Sequence, residues 1–209
     1  MAGRRMFDLF SGRRPQQTIG KVMYDAIETE MRGPIGQKVQ RYVHESEVLR
    51  RSWPASVSKK IIDFIAAEGR KGRRAKDIAQ EVKDNFPTEA AAPVEVLVRT
   101  VIGVASTAFE RARAEEIGVT WYTWETSQDQ RVRASHAIMQ DVMIAWTNPP
   151  SPEELVGEES LGRYHAGEGL ACRCLPMPVI DLDSLEWPRK MYTNGKIITV
   201  TRKQFEKLG

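Results

Sequence analysis

The sequence predicts an α+β protein, with an N-terminal all-helical half joined by a long helix to a small C-terminal α+β domain of short antiparallel strands. Three observations carry that expectation. Up to about Gly118, apolar residues recur three or four positions apart, the spacing of one helix face. Beyond Gly118 the period falls to two, the spacing of a half-buried strand. Turn-forming stretches such as TNPPSPEELVGEES then crowd the second half. The expected organisation is a basic arm over 1–15, a helical domain over 16–118 and a small α+β domain over 119–209.

Residues 1–15 carry Arg4, Arg5, Arg13 and Arg14 against Asp8, with Phe7, Leu9 and Phe10 as apolar anchors. From Gln16 the spacing of Ile19, Val22, Met23, Ala26, Ile27 and Met31 predicts a helix that stops at Gly33-Pro34. A second helix is expected from Ile35 to about Leu49, before the break at Trp53-Pro54. Ser56 or Ser58 can cap a third helix through Ile61, Ile62, Phe64 and Ile65, closing near Gly69. The basic loop RKGRR follows, then a fourth helix from Ala75 to Phe86 with Ile78, Ala79 and Val82 inward. Pro87 and EAAAP separate it from a long fifth helix. That helix starts near Pro93, a good first-turn residue. It reaches Gly118, placed as the residue just past its end.

VTWYTWET alternates aromatic and Thr positions and reads as a strand. Asp129 is expected to cap a short helix through Val132, Ile138 and Met139. CRCLPMPVI reads as an extended, buried run. KMYTNGKIITV reads as a hairpin closed by Asn194-Gly195, and Thr201 caps a last helical turn.

Net charge is only +3, so the whole-chain balance argues weakly for a polyanionic partner. Charge is local instead. Arg70, Lys71, Arg73 and Arg74 share one loop that can touch phosphates. No window approaches a membrane span, and the N-terminus lacks the apolar core of a secretory signal. A soluble protein kept in a reducing cytoplasm is therefore expected. The two cysteines, Cys172 and Cys174, are one residue apart, too close for an unstrained disulfide, and so are expected as thiols or thiolate ligands.

Two of the three histidines, His136 and His165, lie near those cysteines in the sequence. In an extended segment Cys172 and Cys174 share a face and Arg173 points away. With His136 and His165 they make a candidate tetrahedral zinc set, Asp129 standing in for either histidine. The purpose would be structural, since one bound zinc can add roughly 10 kcal/mol or more to the folding of a small domain. The competing reading makes both cysteines small buried hydrophobes. A Cys172–His136 nucleophile and base is a further option, without a local signature to support it. The His-x-Glu of zinc deaminases is absent, because Ala137 and Ile138 follow His136. An HNH-type nuclease would need more His and carboxylate ligands. No catalytic residues are assigned.

The order D-x-R-V-R-x-S-H, Pro-rich loop, C-R-C and Pro-containing strand resembles the phage Mu F-like minor head proteins, a head morphogenesis family of tailed phages. The matching residues are Asp129, Arg131, Val132, Arg133, Ser135, His136, Cys172, Arg173, Cys174 and Pro176. GRKGRRAKDIAQEV, LVRT at 97–100 and GVTWYTW fit the same pattern, so the resemblance spans roughly 55–180. Where the family usually has Ala-Arg-Thr-Glu, this chain has Val98, Arg99, Thr100 and Val101. The resemblance implies a non-enzymatic virion component, present in several copies inside the head near the portal. Its implied partners are the portal protein, major capsid or scaffold proteins, and double-stranded DNA. It also implies that His136 and the cysteine pair act as a set, a zinc staple for the motif domain. The alternatives are a stand-alone DNA-binding module and, behind it, a metal-dependent nuclease or toxin.

Overall fold

In the computed structural model, residues 18–53, 58–87 and 93–207 are described. The basic arm, Pro54, Ser56 and most of EAAAP lie outside them.

Six helices come first: α1 (Ile19–Met31), α2 (Pro34–Glu45), α3 (Glu47–Ser52), α4 (Lys59–Arg70), α5 (Ala75–Asn85) and α6 (Val94–Glu116). The helix expected over 35–49 is two helices. Ser46 leaves the helical region, and its Oγ accepts from Leu49 N to start α3. Ser58 precedes α4 without a side-chain cap bond. Gly118 sits just beyond α6 at φ +76, as its spacing predicts.

Helices α2, α4 and α5 pack around α6. Val39, Val43, Ile61, Ile65, Ile78, Val82, Leu97, Val98, Val101 and Val104 form one core there. Val101 is fully buried in it. An unpaired carboxylate at this place would cost several kcal/mol by burial alone, roughly.

The second half is built on a five-stranded sheet in the order β3-β1-β2-β4-β5. The strands are β1 (Trp121–Glu125), β2 (Val142–Ala145), β3 (Leu175–Pro178), β4 (Arg189–Thr193) and β5 (Lys196–Val200). Three pairings are antiparallel as expected, but β2 and β4 run parallel through Met143 and Met191. A parallel neighbour needs a long crossover, and here that crossover carries the Pro-rich loop, the cysteines and β3. The alternation in β1 sends Tyr122 and Trp124 to one face, with Val142, Ile144 and Trp146. It sends Trp121 to the other, with Met143, Met191 and Phe205. The hairpin turns through Asn194 (φ 49) and Gly195 (φ 75), and Thr201 makes a capping box with Gln204 at the start of the last helical turn, Arg202–Phe205.

Three expectations need correction. Asp129 does not cap the short helix α7 (Ala134–Ala137), whose N-cap is Arg133. Its carboxylate accepts from Arg131 N in a tight turn instead. The helix is one turn only, because Asp141 adopts φ 61 and the chain enters β2. CRCLPMPVI is not buried throughout. Only Leu175–Pro178 is strand, it lies at the sheet edge, and Leu175, Met177 and Ile180 are exposed. Val179 N bonds to Trp121 O, so alternate amides of β3 face β1, and Pro176 and Pro178 fall on the outward side.

Helix α6 and the loop before β3 touch almost backbone to backbone. A Cβ on Gly103 would sit 2.3 Å from Gly167 O. Gly103→Ala is therefore expected to lower stability by about 1–2 kcal/mol, overpacking outweighing the ~1 kcal/mol helix preference of Ala. Chemical denaturation measures it, and a stabilised variant would mean this contact is not tight in solution.

Candidate metal centre

His136 comes from α7, and Cys172 and Cys174 come from the loop leading into β3. Both thiols are free. The His136 Nδ1 atom lies 3.5 Å from Cys172 Sγ and 3.5 Å from Cys174 Sγ. Among the described residues these three offer ligand atoms within 4.8 Å of one another. Zn–S of about 2.3 Å and Zn–N of about 2.0–2.1 Å at a tetrahedral angle place N and S about 3.5 Å apart. The spacing is that of a tetrahedron's edge.

The far side of the imidazole fixes which nitrogen is available. Tyr164 donates its hydroxyl proton to Glu153 Oε1 at 2.5 Å. Its oxygen must then accept at 2.9 Å from His136 Nε2–H. The proton is held on Nε2, and the Nδ1 lone pair faces the sulfurs. His136, Tyr164 and Glu153 are all buried. Burial, then the Glu153 contact, pushes the Tyr164 hydroxyl well up, so it stays a donor.

The hydrogen bond from Cys174 holds the Cys172 thiol down, while the same bond and burial push Cys174 up. The buried Trp124 indole N–H has no partner in hydrogen-bond geometry, yet its dipole favours the Cys174 thiolate. A divalent cation would displace the remaining proton.

Helix α6 holds the loop in place. Thr107 Oγ1 donates to Ala166 O at 2.7 Å, and Thr100 Oγ1 accepts from Ala171 N at 2.9 Å. Arg133 donates to Leu170 O at 2.5 Å.

His165 and Asp129 do not join the three ligands. His165 is buried beside Tyr122 and Trp146, its Nδ1 3.2 Å from Tyr122 Oη and its Nε2 3.5 Å from Arg111. Asp129 pairs with Arg173 through both oxygens, which holds its carboxyl down at about 2. The basic loop is neutralised from within. Arg70 pairs with Glu28, Lys71 with Glu68, Arg73 with Glu68 and Glu81, and Arg74 with Asp77.

The family model described as Phage Mu protein F like protein matches residues 59–177, more than half of the chain. The chain belongs to the Phage Mu F-like family. The matched span runs from α4 to β3 and encloses all three candidate ligands, Tyr164, Glu153 and the α6 dock. The chain is also 29% identical over 134 residues to an uncharacterised protein of Haemophilus influenzae. That alignment covers 64% of this chain and 26% of the relative, so the chain spans about a quarter of the relative's length. No solved structure matches this Phage Mu F-like chain. Among the described residues, no helix is long and apolar enough to cross a membrane.

Sequence reasoning missed Tyr164 and Glu153. Neither has a spacing signal, since they sit 28 and 17 residues from His136 in the Pro-rich loop. His165 has a different role from ligation. Burial holds its pKa down to about 3 from 6.5, so it is neutral in the fold. Its stability contribution is full above pH 6.5 and falls as pH drops from 6.5 towards 3. Glu168, pushed by burial up to about 7, runs the opposite way. His165→Gln should therefore lose about 2 kcal/mol less than wild type between pH 7 and pH 5. Denaturant titrations of both proteins with excess chelator measure this, and equal losses would mean His165 is not held neutral.

Proposed function

We propose that the chain is a structural minor head protein of a tailed phage or phage-like particle, incorporated during head assembly beside the portal. The Phage Mu F-like match over 59–177 carries the reading. The buried bracing of His136 by Tyr164 and Glu153 supports a site that holds the fold of the matched span. Portal protein is the leading partner, with capsid or scaffold proteins around it. Packaged DNA ranks below protein contacts, because Arg70, Lys71, Arg73 and Arg74 all have acidic partners within the chain. Several copies inside the head near the portal are expected.

The metal in this reading is zinc, bound by His136 Nδ1, Cys172 Sγ and Cys174 Sγ. Two thiolates and an imidazole suit zinc over magnesium or calcium. The Tyr164–Glu153 pair would orient the histidine. Protein purified without chelators should contain about one zinc per chain, and Cys174→Ser should abolish it. Tyr164→Phe should keep the fold and weaken zinc roughly 10–100-fold, read by competition with a chromogenic chelator. Zinc content unchanged by Cys174→Ser would remove the metal from this reading.

The assembly role is tested by tagging the protein in phage-producing cells and treating the lysate with nuclease. Recovery of a portal oligomer in fixed ratio is the expected result. Recovery of nucleic acid alone, lost on nuclease or raised salt, would replace this reading with a DNA-binding module.

A further inference from the structure

We infer that the metal keeps one exchangeable coordination position, built to take an oxyanion of carboxylate or phosphate type. This rests on the metal reading above. Among the described residues the group contains three ligands and no fourth His, Cys, Asp or Glu. The two residues able to complete it by type are committed elsewhere, His165 to Tyr122 and Asp129 to Arg173. Glu153 lies behind the imidazole, 3.9 Å from Nε2, on the side away from the sulfurs.

The open side has a shape. A cavity of about 60 Å³ lies against His136, Cys172 and Cys174, walled by Ser127, Arg131, Arg133 and Arg173. That volume exceeds the ~10–15 Å³ that one water needs, so a small polyatomic ligand fits.

The charge balance then selects the ligand. A divalent cation with two thiolates and a neutral imidazole carries no net charge. Three arginines line the approach against one carboxylate, Asp129, which pairs with Arg173 and lies near Arg131. Arg131 is exposed and has no ion-pair partner among the described residues. Arg133 spends one N–H on Leu170 O and retains others. Guanidinium forks match carboxylate and phosphate oxygens. No carboxylate lines the cavity to serve as a base for a bound water, so the geometry favours ligand exchange over hydrolysis.

The test uses the full chain loaded with Co²⁺. Sulfur-to-cobalt charge transfer reports the thiolates, and the visible d–d bands report the fourth ligand. Acetate, and separately inorganic phosphate, is titrated at constant ionic strength. The expected result is a saturable change in the d–d bands with charge transfer intact. Arg131→Gln should weaken the anion by about tenfold or more, the loss of one charge-assisted contact, without altering charge transfer. Bands that ignore both anions, or anion affinity that ignores Arg131→Gln, would overturn the inference while leaving the metal site standing. Absence of charge transfer would overturn both, and so the two failures are told apart.

Discussion

Helix α6 meets the loop before the cysteines at two glycines, Gly103 and Gly167, so close that a Cβ on Gly103 would lie 2.3 Å from Gly167 O. Thr107 and Thr100 flank it, one donating to a loop carbonyl and the other accepting from a loop amide. The geometry of the candidate metal centre depends on this seam. A long irregular loop has many backbone groups to satisfy, and α6 satisfies two of them with buried hydroxyls. The loop is thereby held where Cys172 and Cys174 meet an imidazole arriving from α7. The helical half thus acts as the wall against which the site is assembled. This gives the matched family span a physical sense, since it begins well inside the helices.

The same economy governs the charges. Glu68 is nearly buried at the end of α4 and is gripped by Lys71 and Arg73. Arg73 reaches on to Glu81 of α5. Cations that look free in the sequence are the clamp between two helices. Around the three candidate ligands the pattern reverses, because Arg131, Arg133 and Arg173 have Asp129 as their one acidic partner among the described residues.

The helices were legible because α6 and its neighbours each bury one stripe, and a stripe leaves a period. The strand β2 was not legible. Its four residues, Val142 to Ala145, follow Ile138 and Met139 without a Gly or Pro between them, so the apolar run looks helical. What divides it is the positive φ of Asp141, a tertiary choice tied to the bond from its amide to Trp124 O. At the site, the C-x-C pair and His136 were readable from residue type alone. His165 was equally eligible by type, and only packing distinguishes a ring that faces sulfur from one that faces Tyr122 and Trp146. Tyr164 and Glu153 carry no periodic or motif signal, and their role exists only through the chain of hydrogen bonds that reaches His136.

The two prolines of β3 have one more consequence. On the outer rim of the sheet, positions 176 and 178 present carbonyls without alternating N–H donors. A visiting strand would find half its hydrogen bonds missing. Growth of the sheet from copy to copy is blocked on that flank even though Leu175 and Met177 leave it greasy. Crowded copies of the chain can therefore stick there by side chains, but they cannot zip into a fibre from that rim.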